Sequence, residues 1–150
     1  GAVFAHDRIY DAIVNGAPDG AIELFHGYTY SAHPLAVAAA LATQQLYKDE
    51  GLFQRAADLA PYWQEAAHSL KDARHVVDVR NAGLVAGIEL ESRPGKPAAR
   101  AFDAFLKAFE KGLLVRTTGD IIALSPPLII SKEQIDELFG VLRDVLDATQ

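Results

Sequence analysis

The chain has 150 residues, of which 50% are hydrophobic and 23% are charged, and this balance excludes an intrinsically disordered protein. The net charge of −6 argues against a general nucleic-acid binder or a binder of anionic membranes, because both need clustered Lys and Arg side chains. The absence of cysteine excludes disulfides, zinc–thiolate sites and thiol catalysis. It also fits a reducing compartment, so we expect a cytoplasmic location.

The first 33 residues show little regular periodicity. The sequence starts at Gly1 and contains no Met, so we expect a processed or excised piece of a longer protein. Residues 1–5 predict a short buried strand, residues 7–14 a brief helix, and residues 15–20 a turn rich in Gly, Pro and Asx side chains. Residues 21–33 have no clean period but many aromatic, His, Ser and Thr side chains. That composition is typical of an exposed loop or of a site.

Two helices are predicted next. Pro34 suits the first position of a helix, where its missing N–H costs nothing. Residues 35–49 are Ala-rich and apolar on several sides, which predicts a deeply packed helix that ends at Gly51. A second helix is predicted over residues 53–71, and Pro61 should kink or split it.

The rest of the chain alternates between strand pairs and helices. Residues 76–80 and 84–90 predict a hairpin joined by a tight turn at residues 81–83. Residues 113–116 and 121–124 predict a second strand pair. Neighbouring strand pairs with helices on one face indicate an α+β sandwich.

The helices that follow each strand pair have clear terminal signals. Apolar side chains recur at helical spacing over residues 98–111, and Gly112 is a natural C-terminal cap. The last helix follows Ser131 and Gln134, which have the form of a capping box.

Conventional catalytic and metal sites are poorly supported by the spacing. His26 and His33 are seven residues apart, as are His68 and His75, and neither pair matches the spacing of usual metal ligands. We therefore interpret these histidines as surface or locally bonded side chains. Ser31 and His33 could contribute to a triad on paper, but the chain contains no G-x-S-x-G nucleophile elbow.

The carboxylates and glycines do not indicate a reaction either. Glu89 and Glu91 alternate on a predicted strand with nothing opposing them, so we interpret them as solvated edge charges rather than an acid/base pair. The chain contains neither G-x-G-x-x-G nor a Walker loop. Residue chemistry alone therefore predicts an α+β domain of unassigned activity.

Three segments, in order, are more specific. Residues 25–34 read FHGYTYSAHP, residues 81–90 read NAGLVAGIEL, and residues 112–120 read GLLVRTTGD, with SPPL at 125–128. Together they resemble the C-terminal third of class III pyridoxal-phosphate aminotransferases, most strongly the ω-transaminase branch with its β-alanine:pyruvate transaminases. The likeness covers essentially the whole chain in consistent order and spacing.

This resemblance implies a fold-type I enzyme, normally a homodimer with active sites at the subunit interface and pyridoxal 5′-phosphate as cofactor. Residues 1–33 would then be the tail of the large cofactor-binding domain, including one strand of its central sheet. Residues 34–150 would be the small C-terminal α+β domain. The substrates would be an amino donor and a pyruvate-like acceptor, with no nucleic acid or membrane as partner.

The resemblance also assigns individual residues. Thr29 corresponds to the threonine that hydrogen-bonds the cofactor phosphate of the neighbouring subunit, and Tyr28 and Tyr30 lie beside it in the motif; a turn-capping Thr and packing aromatics are the alternatives. Arg116 corresponds to the arginine that binds the substrate carboxylate and swings aside for uncharged amines; a solvated strand-end Arg is the alternative. Asp120 either orients Arg116 or serves the turn, and we favour the turn.

One feature of the family is missing. The lysine that binds the cofactor covalently precedes the segment that begins here at Gly1, and none of the six lysines present matches its motif. The chain thus has no catalytic residue of its own, and we expect it to be inactive alone. Three interpretations remain open: a fragment of an ω-amino acid or amine:pyruvate aminotransferase, a fragment of a class III aminomutase or decarboxylase, and a non-catalytic dimerisation or structural module.

Overall fold

The computed structural model describes residues 1–24 and 26–150. The chain divides into two compact units, Gly1–Ala42 and Thr43–Gln150, and each is described by itself. The division lies within helix α2 (Pro34–Asp49). None of the helices in the described part of the chain is long and apolar enough to cross a membrane.

The first unit contains little buried surface. Helix α1 (Asp7–Asn15) is capped by His6, whose ring Nδ1 accepts a hydrogen bond from the Arg8 N–H at 3.2 Å. The strand predicted over residues 1–5 is wrong, because this segment is irregular and exposed and has no ladder partner among the described residues. The predicted deep packing of α2 is also wrong in this chain, since none of its residues is buried.

The second unit alternates helices and strands in the predicted order. Its elements are α3 (Leu52–His68), a short 3₁₀ helix (Ser69–Asp72), β1 (Val76–Ala82), β2 (Val85–Leu90), α4 (Ala99–Glu110), β3 (Arg116–Thr118), β4 (Ile121–Leu124) and α5 (Lys132–Ala148). Helix α3 continues through Pro61 without the predicted split. The predicted capping box is confirmed: Ser131 Oγ accepts from the Gln134 N–H, and the Gln134 side chain accepts from the Ser131 N–H.

The four strands form one antiparallel sheet in the order β1-β2-β4-β3. The β1–β2 turn is tighter than predicted, because Ala82 already pairs with Val85 and only Gly83 and Leu84 form the turn. Gly83 has a φ of 54°, a left-handed value that glycine adopts without steric cost. The predicted strand over residues 113–116 is corrected as well, since pairing starts only at Arg116.

One face of the sheet and the helices share the core. Alternate residues of β2 and β4 point into it, as the period of a strand requires. Trp63 of α3 is fully buried and meets Phe139 of α5 edge-on, with ring centroids 5.0 Å apart. The largest fully buried hydrophobic side chains are Trp63, Leu70, Ile88, Ile122, Ile135, Leu142, Val145 and Leu146. This core confirms the α+β class and holds β3 and β4 in place beside α4.

Candidate functional site

Arg116 begins β3, the strand at one edge of the sheet. Its backbone pairs with Ala123 of β4, and the residue before it, Val115, is buried with 6% of its surface exposed. The Arg116 side chain is exposed and forms no hydrogen bond or ion pair with any residue that the structure describes. The backbone is therefore anchored while the guanidinium is free to take a ligand.

The Arg116 side chain lines a groove of about 1170 Å³ in the second unit. Its lining comes from α4, the segment before β3, the loop after β4 and the start of α5, and most of these side chains are apolar. They include Phe102, Phe105, Leu114, Pro126, Pro127, Ile129 and Leu138. Lys111 also lines the groove, but its ammonium lies 3.1 Å from the Asp144 carboxylate. Arg116 is thus the unpaired cation of this groove.

Asp120 is held on the turn between β3 and β4. One of its carboxylate oxygens accepts a hydrogen bond from the Ser92 hydroxyl, and its carbonyl accepts from the Leu90 N–H at 2.8 Å. The other carboxylate oxygen is buried with no hydrogen-bond partner among the described residues. These contacts serve the turn, and none of them reaches Arg116.

Thr29 and Tyr28 lie together in a turn of the first unit. The Ser31 N–H donates to the Tyr28 carbonyl at 2.9 Å, and the His33 N–H donates to the Tyr30 carbonyl at 3.2 Å. Thr29 is exposed, and within residues 1–24 and 26–150 its hydroxyl has no hydrogen-bond partner. Phe25, the first residue of this motif, lies outside the described residues.

The chemistry of this turn fits a phosphate group. A free hydroxyl can donate to a phosphate oxygen, and hydrogen bonds to an ionised acceptor are the stronger ones. Tyr28 is also largely exposed, at 61%, and its ring meets that of His26 edge-on with centroids 4.7 Å apart. Thr29 and Arg116 lie in different units, so the structure brings Thr29 together with Tyr28 and places Arg116 separately.

Three of the six lysines are engaged in side-chain contacts. Lys107 pairs with Asp103 at 2.6 Å, Lys111 pairs with Asp144, and Lys132 lies 4.9 Å from the ring centre of Tyr62. The other three are Lys48 in α2, Lys71 in the 3₁₀ helix and Lys96 in a loop. This arrangement accords with the expectation that no lysine here binds the cofactor.

The histidines have local partners, as expected. The His68 ring lies 3.0 Å from the Asn81 side chain, and the His75 ring lies 3.3 Å from Glu91. No group of three or more His, Asp or Glu side chains in the described residues could hold a metal ion.

The interpretation of Glu89 as a solvated edge charge is wrong. Strand β2 lies inside the sheet, and Glu89 pairs with Arg80 at 2.7 Å across β1 and β2. Arg80 also pairs with Asp78, and both carboxylates raise the pKa of its guanidinium. The cluster is a surface ion-pair network.

Sequence reasoning missed most of the groove around Arg116. The walls from α4 and α5 come from side chains that also fit an ordinary amphipathic helix, so their spacing did not separate them from core residues. Leu114 offered a signal: it is 75% exposed although it stands in an apolar run beside Arg116.

Known proteins similar to this chain share one description. The family "Aminotransferase class-III" matches residues 1–146. An omega-aminotransferase of Caulobacter vibrioides is 65% identical over 146 residues, which is 97% of this chain and 33% of that protein. A beta-alanine–pyruvate aminotransferase of Pseudomonas aeruginosa is 40% identical over 148 residues, with 98% and 33% covered.

Solved structures agree with these relatives. A thermostable omega transaminase mutant from Pseudomonas jessenii matches 95% of this chain and 32% of its own, with 26% identity and a TM-score of 0.78. The adenosylmethionine-8-amino-7-oxononanoate aminotransferase of Methanocaldococcus jannaschii matches 96% of this chain and 34% of its own, with 29% identity and a TM-score of 0.77. The chain spans about a third of the length of the curated relatives it matches. With residues 1–146 matched by one family, the chain belongs to the class III aminotransferases.

Proposed function

We propose that this chain is part of an ω-amino acid or amine:pyruvate aminotransferase, in which Arg116 binds the substrate carboxylate. The observation that carries the proposal is the exposed, unpaired guanidinium of Arg116 in a groove with mostly apolar walls. The names of the relatives, which include an omega-aminotransferase and a beta-alanine–pyruvate aminotransferase, support the substrate class.

Arg116 suits both charged and uncharged substrates. Its planar guanidinium matches a carboxylate with two parallel hydrogen bonds, which fixes the orientation of the bound acid. Apolar walls exclude water and so strengthen this charge pairing. Because no described residue holds the side chain, Arg116 can also move aside, and the apolar walls can then accept an amine without a carboxylate.

Thr29 serves the cofactor in our proposal. Pyridoxal phosphate, when bound, supplies the electron sink for moving an amino group. The Thr29 hydroxyl donates to a phosphate oxygen of the cofactor in the neighbouring subunit of a homodimer, and Tyr28 lines the same turn. The free hydroxyl and exposed position of Thr29 support this role.

The chain by itself does not carry out the reaction, because none of its lysines binds the cofactor. Incubation with pyridoxal phosphate, reduction with borohydride and peptide mapping by mass spectrometry tests this. We expect no stoichiometric label at any lysine and no amine-to-pyruvate turnover. Labelling of a single lysine together with turnover would contradict it.

The substrate role of Arg116 is testable in a chimera, made by placing this chain in the Caulobacter ω-aminotransferase in exchange for the matching third of that enzyme. In Arg116→Ala we expect kcat/KM for carboxylate substrates such as β-alanine and pyruvate to fall by roughly tenfold to a hundredfold, the effect of losing a hydrogen bond to a charged group. The half-reaction with an uncharged aryl-alkyl amine should change little. Single-turnover spectra of the two half-reactions measure both.

Two variants serve as controls. Arg116→Lys should recover part of the loss, because an ammonium cannot reproduce the planar fork. Arg74→Ala removes another exposed arginine of the second unit and should leave both half-reactions unchanged. Equal losses for charged and uncharged donors in Arg116→Ala would show a structural role and overturn the substrate assignment.

A further inference from the structure

Arg55 reaches from α3 to the loop that joins β4 to α5. Its guanidinium donates to three successive carbonyls of this loop, those of Leu128, Ile129 and Ile130, at 3.4, 3.1 and 2.8 Å. One cationic side chain thus satisfies a run of acceptors more than 70 positions away along the chain.

The loop has few other backbone hydrogen bonds to hold its shape. Pro126 and Pro127 have no N–H to donate. The bond from the Ile130 N–H to the Pro127 carbonyl, at 3.0 Å, closes a turn in which Arg55 binds the remaining carbonyls. Hydrogen bonds from a charged donor are stronger than neutral ones, so Arg55 dominates the anchoring of this segment.

The side chains of the loop alternate between the core and the groove. Leu128 packs against the core and Ile130 is buried within it, whereas Ile129 between them is 63% exposed and lines the groove. Pro126 and Pro127 line the same groove as Arg116. The position of this wall relative to the Arg116 guanidinium therefore depends on the carbonyls that Arg55 holds.

We infer that Arg55 is a positioning residue, which sets the wall opposite the substrate-binding Arg116 without touching the substrate. Arg55 itself is not among the residues that line the groove. The inference rests on the proposed function, because it assigns Arg55 to the binding of the substrate that Arg116 recognises. Since the wall shapes the binding groove and not the reacting bond, Arg55 acts on substrate affinity.

The Caulobacter chimera provides the kinetic test. In Arg55→Ala we expect KM for β-alanine to rise about tenfold while kcat stays within about twofold, the signature of lost binding. Arg55→Lys should recover part of the affinity, because an ammonium can still donate to one or two of the carbonyls. Arg55→Lys also keeps the question open to test if Arg55→Ala fails to fold.

Arg143 offers a matched control. It also joins two elements through its guanidinium, with one bond to the Ser69 carbonyl and one of 2.9 Å to Asp72, but it is not among the residues that line the groove. Arg143→Ala should leave KM unchanged. A similar rise of KM in Arg143→Ala and Arg55→Ala would show a general loss of stability and overturn the inference.

Hydrogen exchange of the substrate-free chimera supplies a readout that does not depend on activity. Residues 128–131 should exchange faster in Arg55→Ala than in the parent chimera or in Arg143→Ala. If the loop loosens and KM stays constant, the positioning role is wrong while the proposed function stands. If exchange is unchanged in Arg55→Ala, the anchoring itself is wrong. Failure of the proposed function would instead appear as equal losses for both donor classes in Arg116→Ala.

Discussion

Residues 1–42 and residues 43–150 both contain many apolar side chains, but only the second region buries them. Val3 and Phe4 are each 95% exposed, and no described residue of the first region is buried. In the second region Trp63 and Ile88 are fully buried in a core shared by helices and sheet. The difference shows that an apolar pattern is buried only where another element offers a matching surface, which here is the antiparallel sheet.

The largest test of this comparison is a pair of aromatic truncations. Trp63→Ala should destabilise residues 43–150 by about 3–5 kcal/mol, because it removes a fully buried side chain and leaves a cavity. Phe4→Ala should change the unfolding free energy by less than about 0.5 kcal/mol, since Phe4 is almost fully exposed. Urea unfolding followed by circular dichroism measures both. Comparable losses in the two variants would mean that the first region contributes to the same cooperative core.

A smaller effect is expected from removing one helix cap in each region. Ser131→Ala removes a capping box and should cost about 1 kcal/mol of the unfolding free energy of the second region. His6→Ala removes the cap of α1 and should leave that free energy unchanged, because α1 has no buried residue. The same urea unfolding measurement applies, and a loss with His6→Ala as large as with Ser131→Ala counts against the comparison.

The smallest expected effect concerns acid stability. Asp103 lies 2.6 Å from Lys107 and 2.8 Å from Arg93, and the hydrogen bond from Lys107 is the main reason that its pKa is lowered. The unfolded chain therefore takes up this proton at a higher pH than the folded chain. The resulting stability is present above about pH 4 and is lost as the pH falls through the lower folded pKa.

We expect Asp103→Asn to lose less than about 1 kcal/mol at neutral pH and to show a shallower fall of stability between about pH 4 and pH 2. Asp11→Asn in α1 is the control, because Asp11 forms no ion pair with any residue that the structure describes. Unfolding midpoints across this pH range measure the effect. An unchanged slope in Asp103→Asn would show that other carboxylates carry the acid sensitivity.

Features that depend on neighbours in the sequence could be predicted. The capping box of Ser131 and Gln134 needs only residues three positions apart, and the first position of α2 at Pro34 follows from one missing N–H. Both are confirmed. The β1–β2 hairpin was predicted for the same reason, although its turn lies at residues 83–84 rather than at residues 81–83.

Features that depend on distant partners could not be predicted. Residues 1–5 have strand-like composition but find no ladder partner in the described chain, and α2 has no surface that buries it. The start of β3 at Arg116 depends on where Ala123 pairs, which no local pattern determines. The anchoring of the Leu128–Ile130 carbonyls by Arg55 joins positions far apart in sequence, and nothing near Arg55 signals it.

For the candidate site, the positions of Thr29 and Arg116 came from resemblance, and their roles stay predictions. The exposed, unpaired side chain of Arg116 could not be inferred from composition, since an arginine after three apolar residues is equally compatible with a surface ion pair. The groove needed the folded arrangement of α4, α5 and the loop after β4, because its lining residues are spread over residues 85–141.

The short edge strand that carries Arg116 has an evolutionary consequence. Strand β3 has three residues and pairs on one side only, with β4, while Val115 and the sheet interior supply the packing beside it. Replacing Arg116 removes no core contact, so position 116 can accept other side chains at little cost in stability. Under our proposal, substrate preference can therefore diverge among relatives, or be changed in the laboratory, through single substitutions at this position while the fold stays constant.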